Sequence, residues 1–148
     1  MTQKELARAA YNLLLTCEPE KVGELNATEV ARRLNVSLPN LSRAFKTHKR
    51  FTLKYYLEYT QVSAFEHLMA CKKAATVREA LDILDIRSYN SFLKTYKKHR
   101  KRTPGQFMAH LWRVVRKFRE GKMKPFQSFV DNGAASHDAP VSPKDDKN

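Results

Sequence analysis

The chain has 148 residues, 42% of them hydrophobic, and carries 28 Lys and Arg against 15 Asp and Glu, a formal net charge of +13. This suits one compact unit or two small lobes with an apolar core. It excludes a membrane-spanning class, because no run approaches the ~20 apolar residues of a transmembrane helix, and a disulfide framework, because Cys17 and Cys71 are the only cysteines and form no CxxC pair. Residues 131–148 carry a net −2, so residues 1–130 stand at +15. Such an excess repels itself until an anionic polymer or surface neutralises it, which makes nucleic acid the first candidate partner and an anionic membrane the second. With no signal-peptide-like start, the expectation is a soluble, cytoplasmic protein with buried, reduced cysteines.

In chain order, Thr2 to Cys17 places Leu6, Ala10, Leu13, Leu14 and Cys17 on one helical face, and Pro19 ends the pattern. A linker, EPEKVGELN, leads to a second start at which Asn26 or Thr28 caps a short helix bearing Val30, Ala31 and Leu34. The next residues meet the needs of a helix-turn-helix. Ala31 is small where two helices cross, Asn35 tolerates positive φ in the turn, and Val36, Leu41 and Phe45 hold the second helix inward. Ser37 caps that second helix, leaving Leu38, Pro39, Ser42, Arg43 and Lys46 outward, where Arg43 suits a guanine edge.

From Leu53 to Lys72 an apolar pattern (Leu53, Tyr56, Leu57, Val62, Phe65, Leu68, Met69) follows Thr52 as N-cap, with no Gly or Pro inside. Some twenty residues at about 1.5 Å each would span roughly 30 Å, close to the roughly 34 Å between successive major grooves on one DNA face. Tyr55, Tyr56 and Tyr59 at helical spacing read as core with a wet edge rather than a stacking platform for single-stranded bases.

A second copy of the motif follows. Val77–Tyr96 answers Ala27–Phe45, with Leu84 and Ile86 matching Leu34 and Val36 at an offset of 50, and Phe92 and Tyr96 matching Leu41 and Phe45 at an offset of 51, so the second turn has gained a residue. Thr76 and Ser88 are the caps, Asp85 occupies the turn, and Tyr89, Asn90, Leu93, Lys94, Lys97 and Lys98 face outward. Asn90 suits an adenine edge, Lys94 a guanine, and Tyr89 or Leu93 a thymine methyl.

The paired motifs, the helix between them and the closing RTPGQF after YKKHRK resemble the DNA-binding domain of AraC/XylS-type transcriptional regulators, over roughly residues 4 to 110. ARRLNVS followed by LSRAFK, TLKYYL, and SYNSFLKTYKK carry the likeness, and stand-alone members of the MarA/SoxS kind consist of little else. The resemblance implies an all-α fold with two helix-turn-helix lobes (27–47 and 76–99) joined by a long central helix (53–72). It implies a bacterial, nucleoid-associated monomer whose recognition helices enter adjacent major grooves of double-stranded DNA. Family base-contacting positions fall on Pro39, Ser42, Arg43, Tyr89, Asn90, Leu93 and Lys94. Phosphate contacts are expected from Ser37, Lys46, Arg50, Ser88, Lys97, Lys98, Arg100 and Lys101. Where the family commonly has glycine, this chain has Asn35, Arg50, Asp85 and Lys101, and it departs further at Gln61, Phe65 and Leu81.

Beyond Pro104 a basic amphipathic helix is expected, with Phe107, Leu111, Val114, Val115 and Phe118 in one stripe, Arg113, Arg116, Lys117 and Arg119 elsewhere, and Gly121 at its end. It is expected to dock on the domain, with RNA polymerase or another protein as the first alternative and a membrane surface as the second. An extension to residue 130 and a disordered tail over 131–148 complete the expectation. No enzyme, cofactor or metal is expected: the His67 and Cys71 pair offers two ligands without a third, and four scattered glycines make no phosphate loop.

Overall fold

The computed structural model describes residues 1–119 and Gly121. Every regular element among them is helical: α1 (Gln3–Thr16), a 3₁₀ helix (Pro19–Glu24), α2 (Ala27–Arg33), α3 (Leu38–His48), α4 (Leu53–Ala70), α5 (Val77–Ile83), α6 (Tyr89–Arg100) and α7 (Pro104–Arg119). The all-α expectation therefore holds for the described chain. The proposed extension from Lys122 to Val130 and the tail over 131–148 lie outside the described residues.

Side-chain caps set the helix starts as the sequence signals require. Thr2 forms a capping box with Glu5 at α1, and Asn26, Ser37, Thr52, Thr76 and Ser88 each accept a hydrogen bond from the backbone N–H three residues on. Asn26, not Thr28, caps α2.

Two compact units divide the chain, Met1–Arg87 and Ser88–Asn148. The boundary falls inside the expected second motif, between α5 and α6, instead of along the central helix.

In the first unit α1, α2, α3 and the start of α4 enclose one core, in which Leu6, Ala10, Val30, Leu41, Phe45 and Tyr56 are among the buried side chains. Tyr56 joins Tyr11, Phe45 and Phe51 through edge-to-face contacts, with ring centroids 5.4, 5.6 and 6.1 Å apart. Tyr55 and Tyr59 are half-buried, so the tyrosine cluster is core with a wet edge. Further along α4, Val62, Phe65, Leu68 and Met69 are buried. Their stripe lies on a different side of the helix from Leu53, so α4 serves two sets of neighbours in succession.

One element differs from the sequence expectation: the EPEKVGELN stretch, expected as a linker, contains the 3₁₀ helix Pro19–Glu24, which packs along α4 and against α5. Val22 is buried there, and a Cβ on Gly23 would stand 2.9 Å from the backbone carbon of Leu84. The Lys73 ammonium also meets the Glu20 carboxylate across this contact.

The two turns that follow α2 and α5 are the same device. Val36 N–H donates to Ala31 O at 3.0 Å and Ile86 N–H to Leu81 O at 2.9 Å, with Asn35 at φ 59° and Asp85 at φ 57°. This is the six-to-one closure of a left-handed helix stop. The residue gained in the second copy follows the turn: Ser37 caps α3 two residues after Asn35, whereas Ser88 caps α6 three residues after Asp85. Of the four positions where glycine was replaced, Asn35, Asp85 and Lys101 take positive φ and Arg50 does not. A fourth such residue, Lys72 at φ 58°, ends α4 two residues short of the expected limit.

In the second unit α6 buries Phe92, Tyr96, His99 and Arg100, and α7 buries Pro104, Phe107, Leu111 and Val114. Phe118 continues that apolar stripe in sequence but is 50% exposed, contrary to the expectation that it docks.

Candidate nucleic-acid interface

On α3, Leu41, Ala44 and Phe45 are buried, which turns Pro39, Ser42, Arg43 and Lys46 to the surface. Pro39 lies in the first turn, where a missing N–H costs no helical bond. The Ser37 oxygen accepts from Asn40 N–H at 3.3 Å, which leaves its hydroxyl proton free to donate outward. Asn40 itself is tied down, since Gln3 Nε2 donates to its Oδ1 at 2.7 Å from α1. The exposed face of α3 thus carries Pro39, Ser42 and Arg43, with Lys46 about one turn further on.

On α6, Tyr89, Asn90, Lys94, Lys97 and Lys98 are exposed and Leu93 is half-exposed. Ser88 holds the helix start as Ser37 does, accepting from Ser91 N–H at 3.1 Å. Lys101 is exposed at the C-cap with φ 61°. Arg100 corrects the expectation: it is 6% exposed, because the period that turns Phe92 and Tyr96 inward also turns residue 100 inward. Its guanidinium is not part of the basic surface.

Charge is distributed unevenly over these elements. Residues 1–87 hold fourteen Lys and Arg against ten Asp and Glu, whereas residues 88–119 hold ten Lys and Arg and no carboxylate at all. In the first unit no acid occurs between Glu29 and Glu58, the stretch that contains α3. Net charge alone conceals these two acid-free stretches, although both are legible once the acids are placed on the chain.

Three other cations of the first unit, Arg32, Arg33 and Lys73, are matched with acids. Arg32 and Arg33 both bond Glu29, at 2.7 Å each, and their hydrogen bonds push the Glu29 carboxyl down to about 2. Arg33 also reaches Glu24 at 3.4 Å. By contrast, Arg43 and Lys46 on α3 take part in no ion pair among the described residues.

The rival chemistry gains nothing from the geometry. His67 Nε2 stands 3.5 Å from Cys71 Sγ, and no group of three potential metal ligands occurs among the described residues. Cys71 is exposed and Cys17 half-buried, in place of the two buried thiols expected. Burial pushes the Cys17 thiol up. No helix among the described residues is long and apolar enough to cross a membrane.

No protein-family profile, curated protein or solved structure matches this chain. The likeness to AraC/XylS-type domains therefore rests on the residues quoted for it.

Proposed function

We propose that the protein is a transcriptional regulator that binds duplex DNA with α3 and α6, each used as the recognition helix of a helix-turn-helix. The observation that carries this reading is the run of ten cations without a carboxylate over residues 88–119, which includes the exposed face of α6. Like charges at that density repel one another, and an anionic polymer bound along them relieves that repulsion. Base readout falls to Arg43, Asn90 and Lys94, with Pro39, Ser42, Tyr89 and Leu93 completing the contact surfaces. Ser37, Lys46, Arg50, Ser88, Lys97, Lys98 and Lys101 hold phosphates, which position the protein without specifying sequence.

The test is selection of the purified protein on a random duplex pool, followed by a salt titration of the enriched site. An asymmetric site with two elements about one helical turn apart and a steep salt dependence is the expected result. Binding without enrichment would reduce the protein to a non-specific polyanion binder.

A second reading is favoured by one observation. Trp112 is 68% exposed and Phe118 50% exposed on α7, beside Arg113, Arg116 and Lys117. Exposed aromatics next to arginine are typical anchors of protein interfaces. A protein partner such as RNA polymerase, engaged through α7, would use Trp112 and the neighbouring Arg116, which share one side of that helix.

A further inference from the structure

In the second unit, α7 buries one apolar stripe, Pro104, Phe107, Leu111 and Val114. Trp112 lies off that stripe and is 68% exposed, more than any other large hydrophobic side chain within the described helices. It is also the only tryptophan of the chain. Residues three, four and seven positions away share its side of the helix. Before it stand Ala109 and Gly105, both exposed, and Met108, half-buried. After it come Val115, half-buried, and Arg116 and Arg119, both exposed.

The two ends of this side therefore differ in chemistry. A helical side chain covers the turn N-terminal to its own Cα, and on that turn Ala109 and Gly105 leave the indole uncrowded. A Cβ on Gly105 would meet nothing nearer than Thr103 Oγ1 at 3.7 Å. At the other end Arg116 and Arg119 stand about 6 and 10 Å along the axis from Trp112, and residues 88–119 contain no carboxylate. A DNA backbone gains nothing from an exposed indole, and a bilayer interface needs a broad apolar face, which α7 has already buried in the fold. An acidic protein segment uses both ends at once, since Trp and Arg are the side chains most enriched at the energetic centres of protein interfaces.

We propose that this side of α7 docks an acidic segment of a partner protein. One apolar side chain of the segment packs against the Trp112 indole, and carboxylates about 6–10 Å further along pair with Arg116 and Arg119. This rests on the reading of α7 as a partner-binding helix and names that partner's chemistry. It is independent of DNA recognition by α3 and α6. Apolar contact supplies most of the affinity, and the two guanidinium groups select acidic segments over neutral ones.

The whole chain serves as bait for a displayed library of random peptides, and the enriched peptides are then titrated with a fluorescent label. Trp112 reports in the same titration, because no other tryptophan contributes to the emission. Expected are peptides that combine Asp or Glu with an apolar residue, and a shift of Trp112 emission to shorter wavelength on binding. Trp112→Ala should weaken binding roughly thirtyfold, and Arg116→Gln with Arg119→Gln about tenfold. A control carrying Arg113→Gln and Lys117→Gln, which lie round the helix from Trp112, removes the same charge and should leave affinity nearly unchanged. Every exchanged position is exposed, so the fold is kept. Equal losses in the control reduce the binding to general charge and overturn the site. Enriched peptides that bury Trp112 without an excess of acids overturn the acidic partner and leave a protein partner standing. Vesicles containing phosphatidylglycerol that shift the Trp112 emission where no peptide does so assign the face to a membrane, and no shift with either probe leaves it without a ligand; both outcomes overturn the inference and the partner reading together. Selection of duplex DNA by the same variants is scored separately, so the DNA reading stands or falls on its own.

Discussion

At Lys101, local conformation and charge pull in opposite directions. Lys101 closes α6 at φ 61°, a left-handed conformation that costs an ordinary side chain about 1–2 kcal/mol and glycine almost nothing. Lys101→Gly is therefore expected to stabilise the protein by about 0.5–1 kcal/mol in chemical denaturation, while weakening DNA binding through the lost charge. His110 is half-buried, and burial together with the charges of Arg102 and Arg113 pushes it below its ordinary 6.5. A histidine held neutral in the fold and free to protonate when unfolded contributes stability above pH 6.5, and that contribution is lost as pH falls through the depressed folded value. Urea midpoints of the unaltered protein should thus decline on going from neutral to mildly acidic pH, and His110→Gln should flatten the decline. Arg43 and Lys98 divide the two kinds of contact. Arg43→Ala is expected to relax preference at one base pair at a cost of about 1–3 kcal/mol, while Lys98→Ala weakens all sequences alike and makes the salt slope shallower by about one. Equal effects on specificity in a selection experiment would refute that division.

Among the elements, the helices with strong caps were legible in advance and the 3₁₀ helix was not. Asn26, Ser37, Thr52, Thr76 and Ser88 announce helix starts because a short polar side chain satisfies an orphan N–H locally. The stretch Pro19–Glu24 carries no such signal: it has one buried apolar residue, Val22, and its position depends on α4 and α5. Gly23 records the dependence. Its Cα faces the backbone at the end of α5, so Gly23→Ala forces carbonyl carbon and oxygen atoms apart at 2.9–3.0 Å. A loss of about 1–3 kcal/mol is expected, the usual cost of overpacking, read as a lower thermal midpoint with helical content retained. The outward faces of α3 and α6 were legible for the same reason as the caps. Once Leu41, Phe45, Phe92 and Tyr96 are recognised as the inward period, the outward residues follow. Arg100 escaped because its place in a basic run, KKHRKR, outweighed its place on that inward period.

Over the whole molecule, charge is the dominant quantity. Ten cations without an acid in residues 88–119 repel one another. Salt that screens them should raise the melting temperature, since the Debye length contracts from about 30 Å at 0.01 M to about 10 Å at 0.1 M. A melting temperature that falls with added NaCl would show that attractive pairs dominate instead. Duplex DNA should raise it further than NaCl of equal ionic strength, by binding the folded form alone.

The sequence by itself determined the helical class, the helix starts, the internal repeat and its one-residue difference, and the outward faces of α3 and α6. All of these are set by neighbours within a few residues along the chain, through caps, periodicity and left-handed turns. Only the tertiary structure decided that Lys73 meets Glu20, that Pro19–Glu24 is a packed helix, and that Lys49 lies over the Tyr11 ring. Each of those facts depends on groups distant in sequence being brought within a few ångströms. Ion pairing, burial and close packing act through space, and a linear pattern of residue types does not contain those distances.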